Sequence, residues 1–403
     1  MPPRGKQNHY IMKNILIKGV LHEGSRHDIL IEGNRFKTIA PEGSGLQAEE
    51  VINAEGLAIL PGFYNTHTHA AMTLCRGYAD DMQLDKWLND YIWPFEANLG
   101  PSDIRKGSDI AIKEMMDSGT VMFNDMYFCI EETIDLVIKA GMRAAIGITV
   151  MDNHSLAQAR EKQDFVKSFH DPTGGRIQLV IAPHAVYTVG TQGLKKWAAF
   201  ARDNGLRLHI HCSETQKEVD DCIAAYGLSP VQYLDSIGFL GPDVIAAHCV
   251  VVDDRDADIL ASRGVTVAHC PCSNMKISSG ALPYERLIKA GVKMTLATDG
   301  VCSNNNLDLR EEMKFAALLA KVAGNPELLP ADEVLRWATV NGAEAFGYDA
   351  GIIAEEKLAD CILVDMGNIR MQPCHNLISN WVYAADSSCI RKVLCDGKVI
   401  LEK

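Results

Sequence analysis

A (β/α)8 barrel of the α/β class, with a small β domain assembled from both chain ends, is the fold this sequence predicts. Three observations predict it. Short β-like patterns occupy both termini and not the middle. The middle alternates apolar runs of four to eight residues with helical stretches, and eight such runs can be counted. Six of the eight end on His or Asp. Strand–helix alternation means a parallel sheet, and eight units close into a barrel whose active groups gather at the C-terminal strand ends. A doubly wound open sheet fits the alternation equally well; the placement of the polar residues favours the barrel.

The elements follow in order. Asn14-Ile-Leu-Ile-Lys18 alternates, Asp28-Ile-Leu-Ile-Glu32 follows, and Gly33-Asn34 marks a turn. The barrel runs begin with Leu57-Ala-Ile-Leu-Pro-Gly-Phe-Tyr64 and continue at Thr120, Ala144, Gln178, Leu206, Val244, Val265 and Lys293. At the far end Asp360-Cys-Ile-Leu-Val-Asp365 reads as a buried strand and Val393 to Leu401 as a hairpin across Asp396-Gly397. The expected division is a flexible leader at 1–11, a discontinuous β domain from 12–58 and 350–403, and a barrel over 59–349.

Bulk properties exclude several functions. The chain has 403 residues, 47% hydrophobic and 23% charged, with a formal net charge of −13. A nucleic-acid or anionic-membrane surface needs a basic footprint, and none is visible. No apolar stretch approaches the ~20 residues of a membrane helix, and no secretory pattern opens the chain. The 12 cysteines are scattered through a chain too large to need a disulfide framework. They are expected to be reduced, and the protein cytoplasmic.

Seven of the 13 histidines cluster at strand ends: 67, 69, 184, 209, 211, 248 and 269. His67 and His69 lie two apart on one strand, so both imidazoles share a face. Alone, that pair carries little. With His211, His248 and Asp299 at later strand ends it points to one catalytic metal ion. His209 and His211 repeat the spacing, and periodicity does not choose between them. Glu214, in the loop after His211, is placed to meet a ligand above the ion, although a first-turn helix glutamate would look the same. No phosphate-binding glycine loop is convincing, and the H-x-E signature of the small zinc deaminases is absent.

Pro61-Gly-Phe-Tyr-Asn-Thr-His-Thr-His69 resembles the first barrel strand of the amidohydrolase superfamily. The later order, His211 with Glu214, then His248, then Thr298-Asp299-Gly300, is similar to its mononuclear deaminase branch. A nearer likeness, to the S-adenosylhomocysteine/5′-methylthioadenosine deaminase group, rests on Ala71-Met-Thr-Leu-Cys-Arg-Gly77, Trp93-Pro-Phe-Glu96, Ala182-Pro-His184, Ser273-Asn-Met-Lys276 and Asp299-Gly-Val-Cys-Ser-Asn-Asn305. Triazine hydrolases resemble this group too.

The resemblance implies a β-sandwich around a metal-bearing TIM barrel, and roles for the residues that match. His67, His69, His211 and Asp299 would hold one divalent ion, Zn2+ first, with Fe2+ or Mn2+ as alternatives. His248 would hydrogen-bond the attacking water, and Glu214 would protonate purine N1. Asp299 would take the water proton and pass it to the leaving amine. Glu96 would hold the ribose diol and His184 would reach the sugar. The implied activity is hydrolytic deamination of an adenine nucleoside, releasing ammonia and the hypoxanthine nucleoside. The alternative is an aminohydrolase of a free base, pterin or triazine at the same site. Ile148 stands where S-adenosylhomocysteine-using members carry an arginine, while a second family arginine aligns with Arg160. Losing one guanidinium weakens a carboxylate clamp. 5′-Methylthioadenosine, 5′-deoxyadenosine or adenosine is therefore expected to be preferred over S-adenosylhomocysteine. The expected partner is a small nucleoside, with the subunit count open.

Overall fold

The computed structural model describes residues 13–322 and 325–403. The expected leader at 1–11 lies outside them. Sixteen strands form two sheets of eight among the described residues. β1 (Ile15–His22), β2 (Ser25–Glu32), β3 (Arg35–Pro41), β4 (Glu50–Asn53) and β5 (Leu57–Pro61) come first. The second sheet is β6 (Phe63–Thr68), β7 (Thr120–Tyr127), β8 (Arg143–Val150), β9 (Ile177–Pro183), β10 (Arg207–Cys212), β11 (Val244–His248), β12 (Thr266–His269) and β13 (Lys293–Leu296). The chain ends with β14 (Cys361–Asp365), β15 (Ile390–Cys395) and β16 (Lys398–Glu402), which return to the first sheet.

The second sheet is the barrel. Its strands pair in parallel, in sequence order from β6 to β13. β7 and β8 are buried along their whole length, as a strand covered on both sides by side chains and helices requires. The seam between β13 and β6 is closed largely by side chains. Thr66 Oγ1 donates to Leu296 O at 3.0 Å, and Asn65 bonds both the Thr298 hydroxyl and its backbone N–H. That seam matters, because it places the two ends of the barrel sequence, His67/His69 and Asp299, side by side. Their backbones touch through a parallel bridge between Thr68 and Asp299.

The helices between strands obey local signals. Asp254–Arg263 is capped by Asp253, whose carboxylate accepts from the Asp256 N–H, and ends at Gly264 in the left-handed region, φ 69°. No helix among the described residues is long and apolar enough to cross a membrane.

The first sheet joins both ends of the chain. β14 pairs antiparallel with β5, and β1 pairs with β4 along its first half and touches β5 at Leu21. The strands wrap a core of their own that includes Ile17, Ile29, Phe36, Ile59 and Leu363. One correction concerns Leu57 to Tyr64, which reads as a single barrel strand in the sequence. The chain changes sheets at Gly62, so β5 belongs to the end sheet and β6 to the barrel. A Cβ at Gly62 would stand 2.5 Å from Val121, which explains the glycine at the crossing.

A buried ionic cluster fastens the two sheets. Arg143, at the start of β8, donates to Asp360 (2.9 Å) and to Asp396 (2.7 Å). The Tyr64 hydroxyl also bonds Asp360, and Asn34 reaches Asp396 from the N-terminal hairpin. Removing one member of such a cluster leaves a buried charge without its partner, which is where most of its cost lies.

Candidate active site

The C-terminal ends of the barrel strands line one cavity, with His69, His211, Glu214, His248 and Asp299 on its floor. Strand-end backbone is bent to deliver these groups. Ser213 (φ 50°), His248 (φ 72°), Cys249 (φ 50°) and Asp299 (φ 60°) all occupy the left-handed region, which is costly for non-glycine residues and is concentrated at functional sites.

The proposed ligands converge. His67 Nε2 and His69 Nε2 each lie 3.3 Å from Asp299 Oδ1, and His69 Nε2 lies 3.3 Å from His211 Nε2. Every outer nitrogen is already engaged. His69 Nδ1 meets Met126 O at 2.7 Å and His211 Nδ1 meets His184 O at 2.7 Å. A carbonyl only accepts, so both Nδ1 atoms carry the hydrogen and, in the neutral imidazoles, both Nε2 atoms present lone pairs. Two facing lone pairs at that distance repel unless a proton or a metal cation lies between them. Four donors at ~2.1 Å from a tetrahedral ion sit about 3.4 Å from one another, close to the spacings observed. His67 Nε2 is buried and has no hydrogen-bond partner among the described residues. The residues present therefore fit a divalent ion.

The electrostatics agree. Burial works against charge on His69, yet the Asp299 carboxylate raises its pKa to about 9. Burial lowers His67 to about 4. Without an ion, His69 would so carry a hydrogen on Nε2 toward Asp299; a bound divalent ion would take that proton's place between the donors. Asp299 is held well below the usual carboxylate range, because the His67 and His69 imidazoles outweigh its burial. Its second oxygen accepts from Ser273 Oγ (2.6 Å) and Ser303 Oγ (2.9 Å).

Glu214 and His248 stand beside this cluster, with Glu214 Oε2 3.8 Å from His248 Nε2. Burial raises the Glu214 pKa above its ordinary value. His248 Nδ1 meets Asn274 Oδ1 at 2.8 Å, which leaves Nε2 as an acceptor facing the cavity. Glu218, pushed up to about 7 by its burial, braces the loop by accepting from the backbone N–H groups of Ser213 and Glu214. Sequence reading missed this brace; its signal was only a glutamate one helical turn after Glu214.

Two further expected residues line the cavity. Glu96 closes the helix Trp93–Glu96, and its pKa is raised by burial. The nearby Tyr127 hydroxyl and the charge on His69 partly offset that rise. His184 reaches the cavity with Nδ1 3.0 Å from Thr188 Oγ1. Arg160 is a correction. It is exposed on the helix Leu156–Ser168 and lines no part of this cavity, because the neighbouring Ala159 is that helix's buried position. His269 is also spoken for elsewhere, its Nε2 bonded to the Tyr284 hydroxyl at 2.7 Å.

The cysteines require a second correction. The expectation that all are reduced fails at Cys75 and Cys302, which are joined in a disulfide with a Cα–Cα distance of 5.7 Å. They are 227 positions apart and meet because the turn after His69 and the helix after Asp299 flank the β6–β13 seam. The bond therefore ties together the segments that follow two of the ligand-bearing strands. A cross-link over so long a loop contributes about 2–4 kcal/mol. Cys302→Ser, or reduction by dithiothreitol, is expected to lower the midpoint of thermal unfolding by a few degrees, read by circular dichroism. Identical midpoints for oxidised and reduced protein would contradict it.

The profile of the Amidohydrolase family matches residues 58–400. A 5-methylthioadenosine/S-adenosylhomocysteine deaminase 1 of Archaeoglobus fulgidus is 47% identical over 399 residues, covering 97% of this chain and 93% of the relative. A 5′-deoxyadenosine deaminase of Methanothermobacter thermautotrophicus is 44% identical over 398 residues, covering 96% and 93%. Among solved structures, an adenosine deaminase from Xanthomonas campestris with bound zinc superimposes with a TM-score of 0.88 at 34% identity, covering 96% of this chain and 92% of that one.

Proposed function

The chain belongs to the amidohydrolase family, and from that membership we propose that it is a metal-dependent hydrolase that deaminates the adenine ring of a nucleoside. The observation that carries this reading is the joint placement of three imidazole lone pairs and one carboxylate with a raised-pKa glutamate and an accepting imidazole beside them.

His67, His69, His211 and Asp299 would hold one divalent ion, with Zn2+ as the reading that the nitrogen-rich donor set favours. When bound, such an ion acidifies water and supplies the nucleophile for a hydrolytic displacement. The side chains do the rest. Glu214, whose pKa its burial raises, would donate a proton to purine N1 and remove the charge that would build there as C6 is attacked. His248 accepts a hydrogen bond from the attacking water at Nε2 and so orients it. Asp299 takes the water proton. The same proton then passes to the amine, which leaves as ammonia, and the remaining proton of the attacking water returns to Glu214 as the C6 carbonyl forms. Glu96 would hold the ribose diol as a two-oxygen acceptor, and His184 would meet the sugar.

The cavity wall bears on the 5′ substituent. No Arg or Lys among the described residues lines it. The Lys162 ammonium, near this wall, donates to Thr149 O at 2.8 Å. A charged amino-acid tail would find no guanidinium clamp there. Purified enzyme is expected to deaminate 5′-methylthioadenosine, 5′-deoxyadenosine or adenosine with kcat/KM at least about 10-fold above that for S-adenosylhomocysteine, the discrimination of one lost charge-assisted contact. Ammonia release and the absorbance change from adenine to hypoxanthine read it. The reverse order would refute the specificity, and no turnover of any adenine nucleoside by metal-loaded enzyme would refute the function. Glu96→Gln is expected to raise KM for nucleosides selectively; unchanged nucleoside kinetics would favour a free-base substrate.

A further inference from the structure

We propose that His209 is a positioning residue that sets the metal affinity of the site by fixing the tautomer and ring orientation of His67. The inference rests on the metal-site reading above. His209 is completely buried, two residues before His211 on β10, and lies beyond the ring of converging donors. Its Nδ1 is 3.1 Å from Ile245 O, so Nδ1 carries the hydrogen and Nε2, in a neutral imidazole, is an acceptor. That Nε2 is 2.7 Å from His67 Nδ1. His67 must then donate from Nδ1, which turns the lone pair of its otherwise unpartnered Nε2 toward Asp299 and His69.

The three histidine ligands thus differ in how they are held. His69 and His211 are oriented by backbone carbonyls, which come with the fold whatever the sequence. His67 is oriented by a side chain. The two H-x-H pairs are accordingly not equivalent. The first supplies two ligands, and the second supplies one ligand and one support. An outer partner of this type fixes ring orientation and raises ligand basicity, and its loss costs about 10–100-fold in metal affinity.

The test compares wild type with His209→Leu, which has no acceptor, and His209→Gln, whose Oε1 can take the hydrogen bond from His67. Zn2+ affinity is measured by competition with a chromophoric chelator, alongside thermal unfolding of the metal-free proteins. The expected result is a loss of about 10–100-fold in Zn2+ affinity for His209→Leu and a loss of under about 5-fold for His209→Gln, with similar metal-free unfolding midpoints. Equal losses in both variants, or wild-type affinity in His209→Leu, would overturn the proposal. Should His209→Leu not fold, the nitrogen spectrum of 15N-histidine-labelled wild type decides: the Nδ1–H tautomer at His67 supports the relay, and the Nε2–H tautomer overturns it. Wild type that binds no Zn2+ at all would instead overturn the underlying metal reading, and the relay with it.

Discussion

Glu214→Gln is expected to lower kcat by about 10²–10⁴-fold while leaving KM for the nucleoside within a few-fold. The amide keeps the size of the side chain and can still donate a hydrogen bond to N1, so ground-state binding survives. What it lacks is a proton to transfer. The pH dependence should change with it. Burial raises the Glu214 pKa, so the side chain stays protonated to higher pH than an ordinary carboxyl group. An acid that must be protonated gives a rate that falls as pH rises through its pKa. Wild type should show that alkaline limb in kcat/KM, and the Gln variant should not. Steady-state kinetics across pH, on enzyme loaded with the same ion, checks both points. A variant that retains more than a tenth of wild-type kcat would assign the N1 proton to another group.

Asp299→Asn is expected to be at least as damaging, with a loss of about 10³-fold or more in kcat, for two separable reasons. Asp299 is the only anion among the four proposed ligands, so the substitution removes the charge that offsets the ion. It also removes the base. Both oxygens of Asp299 are committed, Oδ1 facing His67 and His69 and Oδ2 facing two serine hydroxyls. An amide nitrogen facing His67 and His69 would point N–H groups, not a metal-binding oxygen, into the site, and one facing Ser273 and Ser303 would meet their donating hydroxyls. Metal content by atomic absorption, measured with and without excess Zn2+, separates the reasons. Excess Zn2+ should restore occupancy but not turnover, since an amide cannot take the water proton. Full activity on reloading would show that Asp299 serves only as a ligand.

Much of this molecule was legible before folding was considered. The barrel could be read because each strand is a short apolar run, and parallel strands buried on both sides have no reason to alternate. His67, His69, His184, His248 and Asp299 stood out because they end those runs, Glu214 by its place in the loop after His211, and Glu96 through its family motif. The H-x-H period of two told which side chains share a face. It could not tell His209 from His211, because both obey the same alternation. The distinction is one of depth within the barrel, and depth depends on where neighbouring strands end.

The remaining features required the tertiary structure. Arg160 matched by ungapped position, but whether a helix residue faces a cavity depends on the rotation of the helix, which its buried Ala159 decides. The Cys75–Cys302 bond was invisible because strand order, not sequence distance, brings its halves together across the β6–β13 seam. The left-handed backbone at Ser213, His248 and Asp299 carries no glycine signal. By itself the sequence determined the chemistry available, since residue type and period are local properties. The tertiary structure decided which of those groups meet, and in which tautomer, because hydrogen-bond direction depends on partners supplied by other strands.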